Sequence, residues 1–206
     1  MSISEVMEPI ELKYVFSAET DILTALESVS KFVQNVYFVN KGNKIIGYFF
    51  FEDLLGNHLS LGLLSLVLDF EKICYKICIL NPEENFNKLP KNTRDNIMDK
   101  YLRRGYLIRE DGLPYYIKTM ELASLREKML ILSLDIDLIS HVPAFNDQKF
   151  NKKTNKLRNF IVHPDPSISL SSILTKKELW NYIVKLESII REFKRHFKEM
   201  EKVDRL

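Results

Sequence analysis

Glycine is scarce in this sequence, with 6 in 206 residues, and cysteine scarcer still, with 2. So few glycines leave little material for the tight turns of a turn-dense β fold, and no Gly-rich phosphate loop is present. The two cysteines, Cys74 and Cys78, cannot build the disulfide framework of a small secreted domain. Spaced by four within an apolar stretch, they share one face of a helix and read as buried free thiols. A long hydrophobic run is also missing. The most apolar stretch, Leu59 to Leu68, is bracketed by Asn57, His58, Asp69 and Glu71, and it is shorter than the roughly 20 residues a membrane span needs. Met1-Ser2-Ile3-Ser4-Glu5 has neither the basic nor the apolar region of a signal peptide, so the expectation is a soluble cytoplasmic protein with no membrane partner. Nor is there an excess of charge of one sign. With 30 Lys and Arg against 28 Asp and Glu, any basic surface must come from local clustering.

What is plentiful is apolar and aromatic: 46% of residues are hydrophobic, with 13 Phe, 9 Tyr and 1 Trp. The length suits one domain. We therefore expect an all-α fold, a helical bundle of about five to seven helices spanning 1–206, with residues 1–17 lying across the surface.

From Ala18 the apolar residues Ile22, Leu23, Leu26, Val29, Phe32, Val33 and Val36 recur at steps of three or four, which predicts one long helix ending at Asn40-Lys41-Gly42-Asn43. Ile45 to Phe51 is either a short strand or the start of the next helix, and periodicity does not separate the two. Asn57 to Leu80 reads as a nearly all-round apolar helix stopped by Asn81-Pro82. Residues 81 to 92 read as a polar loop, followed by a helix from Thr93 to about Arg104 capped by Gly105. Tyr106 to Gly112 reads as a turn or small hairpin. A long helix is expected from Pro114, with Ile117, Met120, Leu122, Leu125, Met129 and Leu132 inward. The last helix runs from about Lys176 to Val203, with Leu179, Tyr182, Ile183, Leu186, Ile190, Phe193, Phe197 and Met200 as its inner stripe.

The residues with most chemistry in them lie at 156–164, Lys-Leu-Arg-Asn-Phe-Ile-Val-His-Pro. On a helix, Leu157, Phe160 and Ile161 fall on one side and make a core face. Arg158, Asn159, Val162 and His163 fall on the other, with Asn159 and His163 one turn apart. Pro164 ends the helix at or just before His163, and a Pro164-Asp165-Pro166 turn and a Ser-rich connection follow. An apolar Val162 among polar neighbours suggests a face that meets another surface, of which symmetric dimers are the commonest kind. Lys149, Lys152, Lys153 and Lys156 precede the motif and concentrate positive charge that would attract a phosphate backbone. Arg191, Lys194, Arg195 and Lys198 on the last helix interleave with Glu187, Glu192, Glu199 and Glu201 and read as a solvated face. Asp135 and Asp137 point in different directions on a helix with no third ligand near, so no metal site is expected. His58 and His141 read as structural. Arg158 and His163 can also serve simply as a charged helix end.

Arg158-Asn159-x-x-x-His163 resembles the Arg-x4-6-His signature of the HEPN superfamily, in which a polar residue often follows the arginine. Arg191 to His196 repeats the bare spacing, but Glu192 follows that arginine and the pair lies inside a continuous helix. The resemblance implies an all-α, dimeric, metal-independent endoribonuclease of a defence or toxin–antitoxin system. Its composite site would draw Arg158, Asn159 and His163 from both subunits, with no cofactor. RNA would be its substrate, with Lys149, Lys152, Lys153 and Lys156 contacting it, and an antitoxin or larger defence complex would be a further partner. Histidine suits proton transfer near neutral pH, and the arginine fork suits the charge that builds on a phosphorane. The reading from a different class is a non-catalytic helical module that binds RNA or a protein partner.

Overall fold

The computed structural model describes residues 10–55, 57–162 and 174–203. The chain divides into two compact units, one of residues 1–63 and 166–181 and the other of residues 64–165 and 182–206.

The first unit overturns the all-α expectation. It carries β1 (Val15–Ser17), α1 (Ile22–Ser30), β2 (Val36–Lys41), β3 (Lys44–Phe50) and α2 (Phe51–Leu54), followed by the first turns of α3 (Asn57–Cys78). The strands form one sheet in the order β1-β2-β3, with β1 parallel and β3 antiparallel to β2. Val36-Tyr37-Phe38-Val39 and Ile45-Ile46 are β-branched and aromatic, which suits a pleated surface better than a helix. Gly42-Asn43 makes the two-residue turn, with only Gly42 at positive φ (62°), the pattern of a type II′ hairpin. The helix expected from Ala18 therefore stops at Ser30, and Val33, which continues the helical period, is fully exposed. The open choice at 45–51 resolves as strand to Phe50 and helix from Phe51.

Alternation sorts the sheet's side chains. Phe16 and Tyr37 are buried, with ring centroids 5.8 Å apart, and Phe49 stacks on Tyr37 at 5.4 Å. Tyr48 and Phe50 lie on the opposite, exposed face. Between Val39↔Gly47 and Asn40↔Ile45 the register shifts, leaving Ile46 as the extra residue of a bulge. Asp21 caps α1 by accepting hydrogen bonds from the amides of Leu23 and Thr24, both at 3.0 Å, and Ala25, Leu26 and Val29 face inward. Residues 15–17, expected in a surface segment, thus bury Phe16. Lys176 completes this unit: its Nζ donates to the Gln34 carbonyl and to the Tyr37 hydroxyl, and burial lowers its pKa.

The second unit is helical. It holds the remainder of α3, then α4 (Pro82–Lys88), α5 (Lys91–Arg103), α6 (Tyr116–Leu122), α7 (Leu125–Ser133), α8 (Ile136–His141), α9 (Gln148–Val162) and the greater part of α10 (Lys176–Val203). Residues 82–88, expected in a loop, form α4 because Pro82 sits at its first position, where no amide hydrogen is needed. The single helix expected from Pro114 is two. Ser124 and Glu127 form a capping box that restarts the helix as α7, and Ile117 is exposed where burial was expected. Gly105, at φ 70°, follows α5, and the 106–112 turn closes with Arg109 N donating to Leu113 O at 2.8 Å. Asp135 is the N-cap of α8, accepting from Leu138 N at 3.0 Å; the Asp137 side chain lies outside the described residues.

In the core of this unit, Phe70 of α3 packs against Phe150 and Phe193, at 6.3 and 6.4 Å, and Phe150 stacks on Tyr182 at 5.4 Å. Leu179 in the first unit and Tyr182, Ile183, Leu186, Ile190 and Phe193 in the second are buried along α10 as the stripe predicts, while the side chains of Phe197 and Met200 lie outside the described residues. Cys74 and Cys78 are buried and unbridged, and burial pushes the Cys78 thiol up to about 12. Among the described residues, no helix is long and apolar enough to cross a membrane.

Candidate nucleic-acid interface

α9 positions the candidate site, and Asp147 fixes where α9 begins. Its Oδ1 accepts from the amides of Lys149 and Phe150, at 2.9 and 3.1 Å, which satisfies two of the orphan donors of the first turn. Its Oδ2 takes a 2.6 Å hydrogen bond from Lys185 of α10, and this contact, followed by the Phe150 amide, lowers the Asp147 carboxyl below the usual aspartate range. Phe150, Thr154 and Leu157 then face the core. Thr154 is tolerated there because its hydroxyl donates to the Phe150 carbonyl at 2.9 Å.

Arg158 departs from the sequence expectation. It was expected on the outward face, yet its side chain is only 30% exposed and its Nε lies 3.7 Å from Glu71 Oε2 on α3. One residue past buried Leu157, it sits at the edge of the core face, and its long arm lets it reach inward. Glu71 Oε1 is 3.6 Å from the Nζ of Lys128, a lysine of α7 with a side chain 6% exposed that also sits 5.6 Å above the Tyr75 ring. One carboxylate thus serves two cations. Breaking such an arrangement by removing one partner typically costs about 3–5 kcal/mol, because a charge is left buried. At 3.7 Å the Arg158 contact is an ion pair without a hydrogen bond, so the guanidinium's donors are not consumed by Glu71.

Asn159 is exposed and Val162 is 37% exposed, as expected for an outward face, while Phe160 and Ile161 are half-buried rather than core. His163 lies outside the described residues, as do the Pro164-Asp165-Pro166 turn and the Ser-rich connection.

The four lysines divide. Lys152 and Lys156, both exposed and one turn apart, line a groove of about 630 Å³ formed by α7, the segment Pro143–Asn146 and α9; Lys149 and Lys153 do not. Arg126 of α7 adds a third cation. Asn146, Gln148, Asn151, Asn155 and Ser133 are its neutral polar lining residues, beside apolar Met129 and Leu130. No described lining residue is acidic, so the three cations meet no opposing carboxylate within the groove. Such a surface attracts polyanions and can also read a ligand by hydrogen bonds.

Sequence reasoning missed the amides and the ion cluster. Gln148, Asn151 and Asn155 recur at helical spacing beside the lysines, a signal that counting charges passes over. Glu71 and Lys128 carry no local mark of their pairing, which joins residues far apart in the chain. His141, read as structural, has its ring 4.7 Å from that of His196, the histidine of the second Arg-x4-His copy. The side chain of His58 lies outside the described residues. Among the described residues no group of three or more His, Cys, Asp or Glu is placed to hold a metal ion.

No protein-family model, no curated protein and no solved structure matches this chain.

Proposed function

We propose that this protein is a cytoplasmic, metal-independent endoribonuclease of the HEPN kind, acting as a homodimer in a defence or toxin–antitoxin system, with an antitoxin or larger complex as its restraint. The observation that carries the reading is a line along α9. Exposed Lys152, Lys156 and Asn159 succeed one another at helical spacing and lead to Arg158 at the C-terminal end of the helix, where the sequence continues to His163. A phosphate backbone following the two lysines arrives at the arginine. His163 then takes the 2′-hydroxyl proton, the partner subunit's copy of that histidine protonates the leaving 5′-oxygen, and Arg158 stabilises the charge on the phosphorane. Asn159 holds the imidazole or a phosphoryl oxygen. The half-exposed Val162 supports a face shared between two copies.

The test is incubation of total RNA in excess EDTA with the wild-type chain, Arg158→Ala and His163→Ala. The expected products carry 2′,3′-cyclic phosphate and 5′-hydroxyl ends, and each substitution lowers the cleavage rate at least about 100-fold. Intact RNA throughout, or cleavage that survives both substitutions, refutes the reading. A mass in solution of twice the 24.3 kDa of one chain is expected, and a monomer removes the second half of the site.

A second reading draws on the ion pair of Arg158 with Glu71. If that pair keeps the guanidinium in place for structural reasons, the protein is a non-catalytic RNA-binding module, and it retards RNA without shortening it.

A further inference from the structure

We propose that the pair between Arg158 and Glu71 is a latch, which withholds the guanidinium from the outer face of α9 until a phosphate of a bound RNA strand draws it out. This rests on the proposed function only in that Arg158 meets RNA; it does not require cleavage. Leu157 is fully buried and Asn159 is exposed, so Arg158 stands on the boundary between the core face and the outward face of α9. A long arm on such a boundary can turn either way. Here it is turned in, with its side chain 30% exposed and its Nε 3.7 Å from Glu71 Oε2.

The hold is incomplete in two respects. Nε is buried and makes no hydrogen bond among the described residues, so the inward position leaves a donor unsatisfied. Glu71 is also shared: its other oxygen faces the Nζ of Lys128 at 3.6 Å, and that ammonium lies over the ring of Tyr75, one turn further along α3. An arginine–carboxylate pair built for stability is frequently a fork of two hydrogen bonds. This one is a single contact beyond hydrogen-bond length. A phosphate of a strand lying along exposed Lys152 and Lys156 offers the guanidinium the two-bond grip that Glu71 does not. Lys128, by competing for the same carboxylate, sets how firmly the arginine is held.

The experiment measures binding of a fluorescein-labelled U 12-mer with 2′-O-methyl sugars, which carries no 2′-hydroxyl to attack and so reports binding apart from cleavage. Glu71→Gln/Lys128→Met opens the latch and leaves the net charge of the chain unchanged. It is expected to bind about tenfold tighter than wild type, the low end of what a hydrogen bond to a charged group contributes. Lys128→Met alone gives Glu71 wholly to Arg158 and should bind about threefold more weakly. Made in an Arg158→Ala chain, the same substitutions should move the affinity by less than about twofold, because they act through that arginine. The single variant decides the matter should the double one fail to fold. A wild-type chain that does not bind, unchanged or weaker binding in the double variant, a single variant that binds no more weakly than wild type, or shifts that persist without Arg158 overturn the proposal. The two readings fail separately. Tightening that depends on Arg158, without cleavage of ordinary RNA, removes the nuclease and keeps the latch, and cleavage without tightening does the reverse.

Discussion

Arg158 Nε lies 3.7 Å from Oε2 of Glu71, whose other oxygen is 3.6 Å from the ammonium of buried Lys128. The arginine proposed as catalytic is therefore tied to α3 by a carboxylate that already answers a more deeply buried cation. Glu71→Gln leaves Lys128 in the core without a counter-charge and is expected to cost about 3 kcal/mol, a fall in melting temperature of about 6–12 °C. Adding Lys128→Met removes the stranded charge and should recover more than half of that loss. Urea unfolding of the two variants measures both, and a cost below about 1 kcal/mol for Glu71→Gln would show that the cluster is not a unit.

The division of the lysines is a prediction about salt. Lys152 and Lys156 flank the groove, and Lys149 and Lys153 do not. Each phosphate contact on a single strand contributes about 0.7 to the slope of log affinity against log salt. Lys152→Ala/Lys156→Ala should lower that slope by about 1.4 and weaken all sequences alike, whereas Lys149→Ala/Lys153→Ala should leave it within error. Equal effects of the two pairs on a salt titration would mean that charge acts diffusely rather than at the groove.

What could be read from the sequence depended on how far apart the interacting residues lie. The stripe of α10 from Leu179 to Phe193 and the buried Cys74 and Cys78 follow from periodicity within one element and were legible. The hairpin was not. Val29, Val33 and Val36 keep helical spacing across the end of α1, and the pairing of Val36–Lys41 with Lys44–Phe50 and with Val15–Ser17 shows that residues 36–41 are a strand. Similarly, Asn159 and the α9 lysines announce themselves locally, while the inward turn of Arg158 depends on Glu71, some ninety residues earlier. Local pattern carries no information about such partners.

Gly42 and Gly62 should respond oppositely to alanine. Gly42 holds φ 62° at the hairpin turn, a conformation that disfavours any side chain, and Gly42→Ala is expected to cost about 1–2 kcal/mol. Gly62 lies within α3, where a Cβ would meet nothing within 4 Å, so Gly62→Ala should stabilise by about 0.5–1 kcal/mol. Thermal unfolding of both variants decides this, and a tolerated Gly42→Ala would contradict the type II′ turn and the register built on it.

Asp147 couples the start of α9 to pH. Its folded pKa is depressed, first by the hydrogen bond from Lys185 and then by the Phe150 amide. A depressed carboxylate contributes stability that is fully present above its unfolded pKa of about 3.9 and is lost as pH falls through the folded value. Asp147→Asn keeps an oxygen for the helix amides and loses only the contact with Lys185. Both side chains of that pair are more than a third exposed, so screening limits its expected cost to about 0.5 kcal/mol. Asp147→Ala also loses the cap and should cost about 1 kcal/mol more. Urea unfolding across pH 2–7 separates the two contributions. The gap between wild type and Asp147→Asn should close as pH falls from the unfolded value through the depressed folded one and the carboxylate protonates, while the gap between the Asn and Ala variants should persist at every pH, because it reflects a neutral hydrogen bond. A wild-type to Asn gap that is constant with pH would mean that Lys185 contributes nothing to holding α9, and with it the groove, in place.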